Sequence, residues 1–280
     1  MAIMLNGRDA SAKVMEETEA EVKKLIEKGV TPGLGLVLTG TDRYSERYVN
    51  MKKRRAESIG INTFHHHLET PSQEEVLTLI DQLNNDPNVH GIMVQLPLAE
   101  GLDELETVEA ILPEKDVDGL TPTTLGRLLM GEEAYTPAGV EAIMELFKRY
   151  DLDPEGKHWM VLGSSNFLSK PLLAYLANLN LQVTFLHEND EKIPEMVKEA
   201  DVISTELFKK HFITADMVKE GIIVIDNGNN YEGKNVFGDV DTDAVKEKAH
   251  AITPVPGGPG PMLISILLRN TVAAAAGTVD

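Results

Sequence analysis

Leu34-Gly-Leu-Val-Leu38 restricts the fold more than any other segment: it is almost wholly apolar, and Thr39 and Gly40 close it at once. A run this short reads as a strand, and the lack of polar alternation means that both of its faces must be covered. Segments of helical length stand on either side. One runs from about Gly7 to Lys28, with Ala10, Val14, Leu25 and Ile26 among its apolar positions and Gly29 as its stop. A second spans roughly Ser45 to Ser58. A strand near Ile61 to Leu68 follows, then a helix opened by Thr70-Pro71 with Gln73 at its third position, then a strand Gly91 to Gln95 that ends at Leu96-Pro97. Alternation of this kind implies right-handed crossovers and a parallel sheet, with functional groups at the carboxyl ends of the strands.

The alternation starts afresh after Thr136-Pro137, which opens a helix through Tyr150. Strands are expected at Trp159 to Leu162, Leu181 to Leu186, Asp201 to Thr205 and Gly221 to Asp226, with a small-residue loop from Gly163 to Lys170 and a helix from Pro171 to Asn178. That order is Rossmann-like. Pro254 to Pro261 holds four prolines and three glycines before an apolar helix that starts at Met262 and is expected to return to the first domain. The fold class is therefore α/β, with two α/β domains and an active-site cleft expected between them. Residues 1–136 plus 261–280 form the first domain and 137–260 the Rossmann-like second, a division that suits a chain of 280 residues.

A formal net charge of −19 repels nucleic acid and anionic membranes, so neither is expected as a partner. No apolar run approaches the roughly 20 residues of a membrane span, and the amino-terminal residues lack the layout of a secretory signal. With no cysteine there is no disulfide, thiolate metal site or cysteine nucleophile, in keeping with the cytoplasm. His65, His66 and His67 are consecutive on an expected strand, so the middle ring faces away from its neighbours; no metal is expected.

Against that acidic background, Lys52-Lys-Arg-Arg55 forms a local positive field. Such a run reads either as a solvated helix face or as the surroundings of one inward-pointing amine, made a usable base by burial and by repulsion from Lys53 and Arg55. Tyr48 lies four residues earlier on the same face. Gln95 places an amide at a strand end, where it is either a satisfied turn group or a ligand contact. Asp116-Val-Asp118-Gly119 puts two carboxylates on a turn, able to pair with an amino-pyrimidine edge but also common as turn chemistry. The proline-glycine stretch containing Pro256, Gly257 and Gly258 is stiff yet lets backbone approach a ligand; a rigid linker would share its composition.

Taken together, Tyr48-Val-Asn-Met-Lys52, Val94-Gln-Leu-Pro-Leu98, Pro113-Glu-Lys-Asp-Val-Asp-Gly-Leu120 and Ile252-Thr-Pro-Val-Pro-Gly-Gly-Pro-Gly-Pro-Met262 resemble the bifunctional methylenetetrahydrofolate dehydrogenase/methenyltetrahydrofolate cyclohydrolase family. Their order and spacing match over nearly the whole chain. The resemblance implies a folate-binding catalytic first domain and an NAD(P)-binding second domain. It implies oxidation of 5,10-methylenetetrahydrofolate and hydrolysis of the methenyl product to 10-formyltetrahydrofolate. Lys52 matches the catalytic lysine, Gln95 the glutamine bonded to it, and Asp118 the carboxylate that anchors the pterin. Tyr48 matches the tyrosine packed on the folate, and Ser45 a serine near the lysine. Pro256, Gly257 and Gly258 fall in the substrate-side segment, and the family implies a homodimer.

The cofactor half departs from this pattern. Gly163-Ser-Ser-Asn-Phe-Leu-Ser-Lys-Pro171 stands where the family usually reads Gly-Arg-Ser-x-x-Val-Gly-x-Pro, so Ser164 replaces an arginine and Ser169 a glycine, with Gly163 and Ser165 retained. His187-Glu188 carries an acid where a serine commonly faces the 2′-phosphate of NADP, which favours NAD. Glu206 replaces a glycine, Asn229 replaces an aliphatic residue beside the nicotinamide region, and Pro259 and Leu263 stand where valine and threonine are usual. Three readings follow: a bifunctional enzyme using NAD or NADP, a monofunctional cyclohydrolase with a degraded cofactor site, or a non-catalytic homologue that binds folate or a partner. A hydroxy-acid dehydrogenase would need a catalytic base and a carboxylate-binding arginine, and no convincing pair is present.

Overall fold

The structure, a computed structural model, describes residues 2–277. In chain order its strands are β1 (Ile3–Met4), β2 (Gly33–Thr39), β3 (Asn62–Leu68), β4 (Gly91–Val94), β5 (His158–Leu162), β6 (Gln182–Leu186), β7 (Val202–Thr205), β8 (Ile223–Asp226), β9 (Asn230–Glu232), β10 (Asn235–Phe237) and β11 (Ala251–Ile252). By internal contacts the chain forms two compact units, one holding Lys13–Ala138 and the residues from Ile264 onward, the other holding the residues up to Ala12 and Gly139–Leu263.

The first of these units is built on a parallel sheet in the order β3-β2-β4. The all-apolar β2 is central and buried at every residue, as its composition requires. Its two faces feed separate cores. Leu34, Leu36 and Leu38 pack with Val49 and Ala56 of the helix Arg43–Ser58 and with Leu267 and Leu268 of the helix Met262–Ala276. Val37 packs on the opposite face with Val76, Leu79, Ile80 and Leu83 of the helix Gln73–Asn85. That helix begins at Ser72, whose hydroxyl and the Glu75 carboxylate form a reciprocal capping box, and not at Thr70-Pro71. Gly91 opens β4 because a β-carbon there would run into the methyl groups of Val117, and Asn270 ties down the same loop by donating to the Val117 carbonyl at 3.0 Å.

The other unit carries a six-stranded parallel sheet in the order β1-β11-β8-β7-β5-β6. From β6 to β11 this is the doubly wound order 2-1-3-4-5, whose crevice opens between the first and third strands, here β5 and β7. Trp159 on β5 is fully buried and packs on Phe147 of the helix Ala138–Arg149, with ring centroids 4.9 Å apart. One expectation is corrected. The sequence put the amino-terminal residues in the first domain, whereas β1 pairs with β11 and so extends the Rossmann-like sheet. Two residues of strand leave too little pattern to read.

Buried carboxylates fix the loops at the carboxyl ends of this sheet. Asp226 accepts from Gly228 and Asp239 at Oδ1 and from Val240 at Oδ2, while Asp239 accepts from Leu207 and Lys209. Burial, with the neighbouring Asp239, pushes the Asp226 carboxyl up to about 6.

Candidate active site and dinucleotide loop

The helix Arg43–Ser58 starts at Asp42, which accepts from the Ser45 backbone N–H at 2.8 Å, and Ser45 is buried in this first turn. Two turns on, Lys52 points toward the carboxyl end of β4. Its ammonium donates to Gln95 Oε1 at 2.9 Å and approaches Met93 Sδ at 3.6 Å. Gln95 extends the sheet ladder through its own N–H to Val37 O at 2.9 Å, and its amide nitrogen donates to Leu96 O at 2.6 Å. Both ends of that side chain are therefore committed, and its oxygen is turned to the amine. Asp118, in the loop after Val117, lies near enough for its charge to act on the amine.

Burial holds the Lys52 amine below the ordinary lysine value of 10.5, with the charge of Asp118 acting against that shift. Burial likewise raises the Asp118 carboxyl above 3.8, opposed by Lys52 and reinforced by Asp116. Desolvation thus does what the sequence attributed partly to Lys53 and Arg55. Lys53 instead faces Glu57 at 3.9 Å, and Arg54 and Arg55 line a groove on the outer face of the helix with Arg43 and Arg47. An amine with this depressed affinity for protons, anchored to one neutral acceptor, is suited to accept and return a proton.

The Asp118 turn is held by a residue that the sequence treated as an equal partner. Asp116 is buried and accepts from Gly119 and Leu120 at Oδ1, 3.0 and 3.1 Å, and from Thr121 at Oδ2, 2.8 Å. Both of its oxygens are engaged by the loop, which leaves Asp118 to face the amine. Tyr48 is 49% exposed, so it stands open at the rim while Lys52, Gln95 and Asp118 are gathered.

Among the other expected residues, Gly257 accepts from the Gly7 N–H at 2.8 Å, and Gly7 lies so close to Gly258 that a β-carbon on it would strike the Gly258 carbonyl. Pro256 follows a cis peptide bond. Asn229 is exposed and donates to Asn227 O at 3.3 Å. Among the described residues no group of three His, Asp or Glu side chains is placed to hold a metal ion, and no helix is long and apolar enough to cross a membrane.

The loop after β5 is where a dinucleotide is expected. Gly163 takes φ +144°, and a β-carbon there would collide with Ser169 Oγ and crowd Glu206. The end of β6 is where a cofactor ribose is expected. Glu188 follows β6, its carboxyl is held below the usual range chiefly by the Ser164 hydroxyl, and its Oε2 is enclosed without a hydrogen-bond partner, His187 Nδ1 standing 3.4 Å away. The phosphate end does not fit as it stands. Ser165 Oγ and Ser169 Oγ donate to Glu206 Oε2 at 2.5 and 2.6 Å, and the backbone N–H groups of Leu168 and Ser169 are turned onto Ser165 Oγ at 3.0 and 3.3 Å.

Residues 5–118 match the family model described as tetrahydrofolate dehydrogenase/cyclohydrolase, catalytic domain, and residues 136–279 match that of its NAD(P)-binding domain. The bifunctional protein FolD of Halalkalibacterium halodurans is 42% identical over 98% of this chain and 99% of its own length. The crystal structure of the bifunctional FolD enzyme of Campylobacter jejuni superposes with a TM-score of 0.96 at 38% identity, covering 99% of each chain. That of the Trypanosoma brucei enzyme, complexed with NADP cofactor and inhibitor, gives 0.93 at 30% identity over 99% of this chain and 98% of its own. With both halves matched and whole-length relatives this similar, the chain belongs to the tetrahydrofolate dehydrogenase/cyclohydrolase family.

Proposed function

We propose that this chain hydrolyses 5,10-methenyltetrahydrofolate to 10-formyltetrahydrofolate and forms the methenyl compound by oxidising 5,10-methylenetetrahydrofolate, with NAD preferred to NADP. The observation that carries the hydrolytic half is the half-buried Lys52 amine, depressed by desolvation and bonded to Gln95. As water adds to the methenyl carbon, the neutral amine takes one of its protons, and it returns a proton to the departing ring nitrogen as the ring opens. Gln95 holds the amine in place, Asp118 anchors the amino-pyrimidine edge of the pterin, and Tyr48 lies against the folate, with Ser45 at the start of their shared helix. Pro256, Gly257 and Gly258 border the substrate in this reading. Gly163, Ser164, Ser165, His187, Glu188 and Asn229 face the dinucleotide. The enzyme is read as a homodimer in the cytoplasm, a compartment that suits a chain without cysteine. A monofunctional cyclohydrolase is the second reading, favoured by the engaged phosphate loop.

Preference for NAD rests on Glu188, whose ionised carboxyl accepts from a free ribose diol and repels a 2′-phosphate. The ratio of kcat/KM for the two dinucleotides at saturating folate is expected to favour NAD by at least about tenfold, equivalent to ~1.4 kcal/mol. A preference for NADP would remove Glu188 from the selectivity.

The Lys52–Asp118 pair also predicts a pH shift. Hydrolysis requires the neutral amine, so its rate rises as pH passes through the Lys52 pKa. Because Asp118 raises that pKa, Asp118→Asn lowers it further and moves the rising limb to lower pH, alongside a higher KM for the folate. The pH profile of methenyl decay checks this, and a limb displaced upward would reverse the assignment.

A further inference from the structure

We infer that Glu206 is an intramolecular occupant of the phosphate-binding loop, so that dinucleotide binding requires its carboxylate to leave. The inference rests on the reading of that loop as the cofactor site and adds to it a residue that opposes binding of either dinucleotide. The topology places the residue where it matters. Glu206 follows β7 and the loop 163–168 follows β5, and the β5/β7 pair is the switch point at which ligands enter a sheet of this order.

The loop's hydrogen-bonding capacity is turned inward. One carboxylate oxygen of Glu206 accepts from both Ser165 and Ser169. Ser165 Oγ in turn accepts the first N–H groups leading into the helix Ser169–Asn178, and Lys170 N–H goes to Ser165 O at 3.1 Å. A pyrophosphate bound at a helix amino terminus needs these same groups. Here a carboxylate of the same charge sign and similar acceptor geometry already holds the hydroxyls. Glu206 Cβ lies so near Gly163 that the side chain leaves the backbone at the floor of the loop. A dinucleotide entering while it remains would meet like charge with the serine donors already spent.

The consequence is selective. Glu206 is bonded to Ser165 and Ser169 and the Lys52 amine to Gln95, so Glu206 weakens dinucleotide binding without engaging the amine that carries hydrolysis. Glu188 and Glu206 act on different parts of the cofactor: Glu188 on the ribose, Glu206 on the bridging phosphates common to NAD and NADP.

The experiment is calorimetric titration of NAD and NADP into the full chain, Glu206→Gly and Glu206→Gln, with thermal unfolding recorded for each. Glu206→Gly is expected to tighten NAD binding at least about tenfold by freeing Ser165 and Ser169, and Glu206→Gln by less, because its amide oxygen still accepts from the serines without the charge. Should glycine at this position prevent folding, the glutamine variant carries the test, with any tightening supporting the inference. Unaltered protein that binds NAD as tightly as both folded variants overturns it, and so do variants that bind neither dinucleotide. If NADP gains as much as NAD and is preferred throughout, the role of Glu206 stands while the reading of Glu188 fails.

Discussion

Replacing Lys52 with methionine is expected to lower methenyltetrahydrofolate hydrolysis by at least about a hundredfold, toward the full ~10⁴-fold that a positioned proton-transfer group contributes. Methionine keeps the length and apolar stem of the side chain and removes only the amine, so Gln95 Oε1 loses one half-buried contact and the cores on either face of β2 are untouched. The thermal midpoint should therefore hold within a few degrees. Lys52→Arg separates the two roles of the group. Guanidinium keeps the positive charge opposite Asp118 but does not deprotonate in a protein. If the neutral amine matters, arginine is as inactive as methionine; if charge alone matters, arginine retains most of the rate. The decay of methenyl absorbance with each variant distinguishes them, and unchanged hydrolysis in Lys52→Met would remove Lys52 from the mechanism.

Asp116→Ala should be the most damaging single change to the catalytic unit. It deletes a buried carboxylate whose two oxygens satisfy three backbone N–H groups of residues 119–121, leaving those donors enclosed and unpaired. At roughly 1–3 kcal/mol for each unsatisfied group, partly relieved by relaxation, a loss of about 3–5 kcal/mol is expected. Urea unfolding followed by circular dichroism measures it. Asp116→Asn should fall between the two, because Oδ1 can still accept from Gly119 and Leu120 while an amide now meets the Thr121 N–H. Since the same turn carries Asp118, folate KM should rise in step with the instability. A full-strength KM in a destabilised Asp116→Ala would show that the turn does not position Asp118.

The two predictions differ in how far the sequence could support them. Lys52, Gln95 and Asp118 are legible because four short segments agree with one family, while each alone admits a structural explanation. Asp116 was legible only as one of two carboxylates on a turn; nothing local distinguishes the one that bonds its own backbone from the one left to face a neighbour. Glu206 was visible as a departure from a glycine, but its partners Ser165 and Ser169 lie 41 and 37 positions away. Tyr48 shares the Lys52 helix face by periodicity, yet periodicity does not say how far from the rim a side chain sits.

What the chain's own order of residues determined is the architecture: a run such as Leu34 to Leu38 must be covered on both sides, and its alternation with helix-length segments admits little besides a parallel sheet. Those signals are local, since strand and helix periods repeat within a few residues. Tertiary structure alone decided that β1 joins the Rossmann-like sheet, that burial and not neighbouring cations depresses the Lys52 amine, and that the loop after β5 is closed on Glu206. Desolvation and hydrogen bonding are set by groups far apart along the chain, so they exist only once folding has brought those groups within a few ångströms.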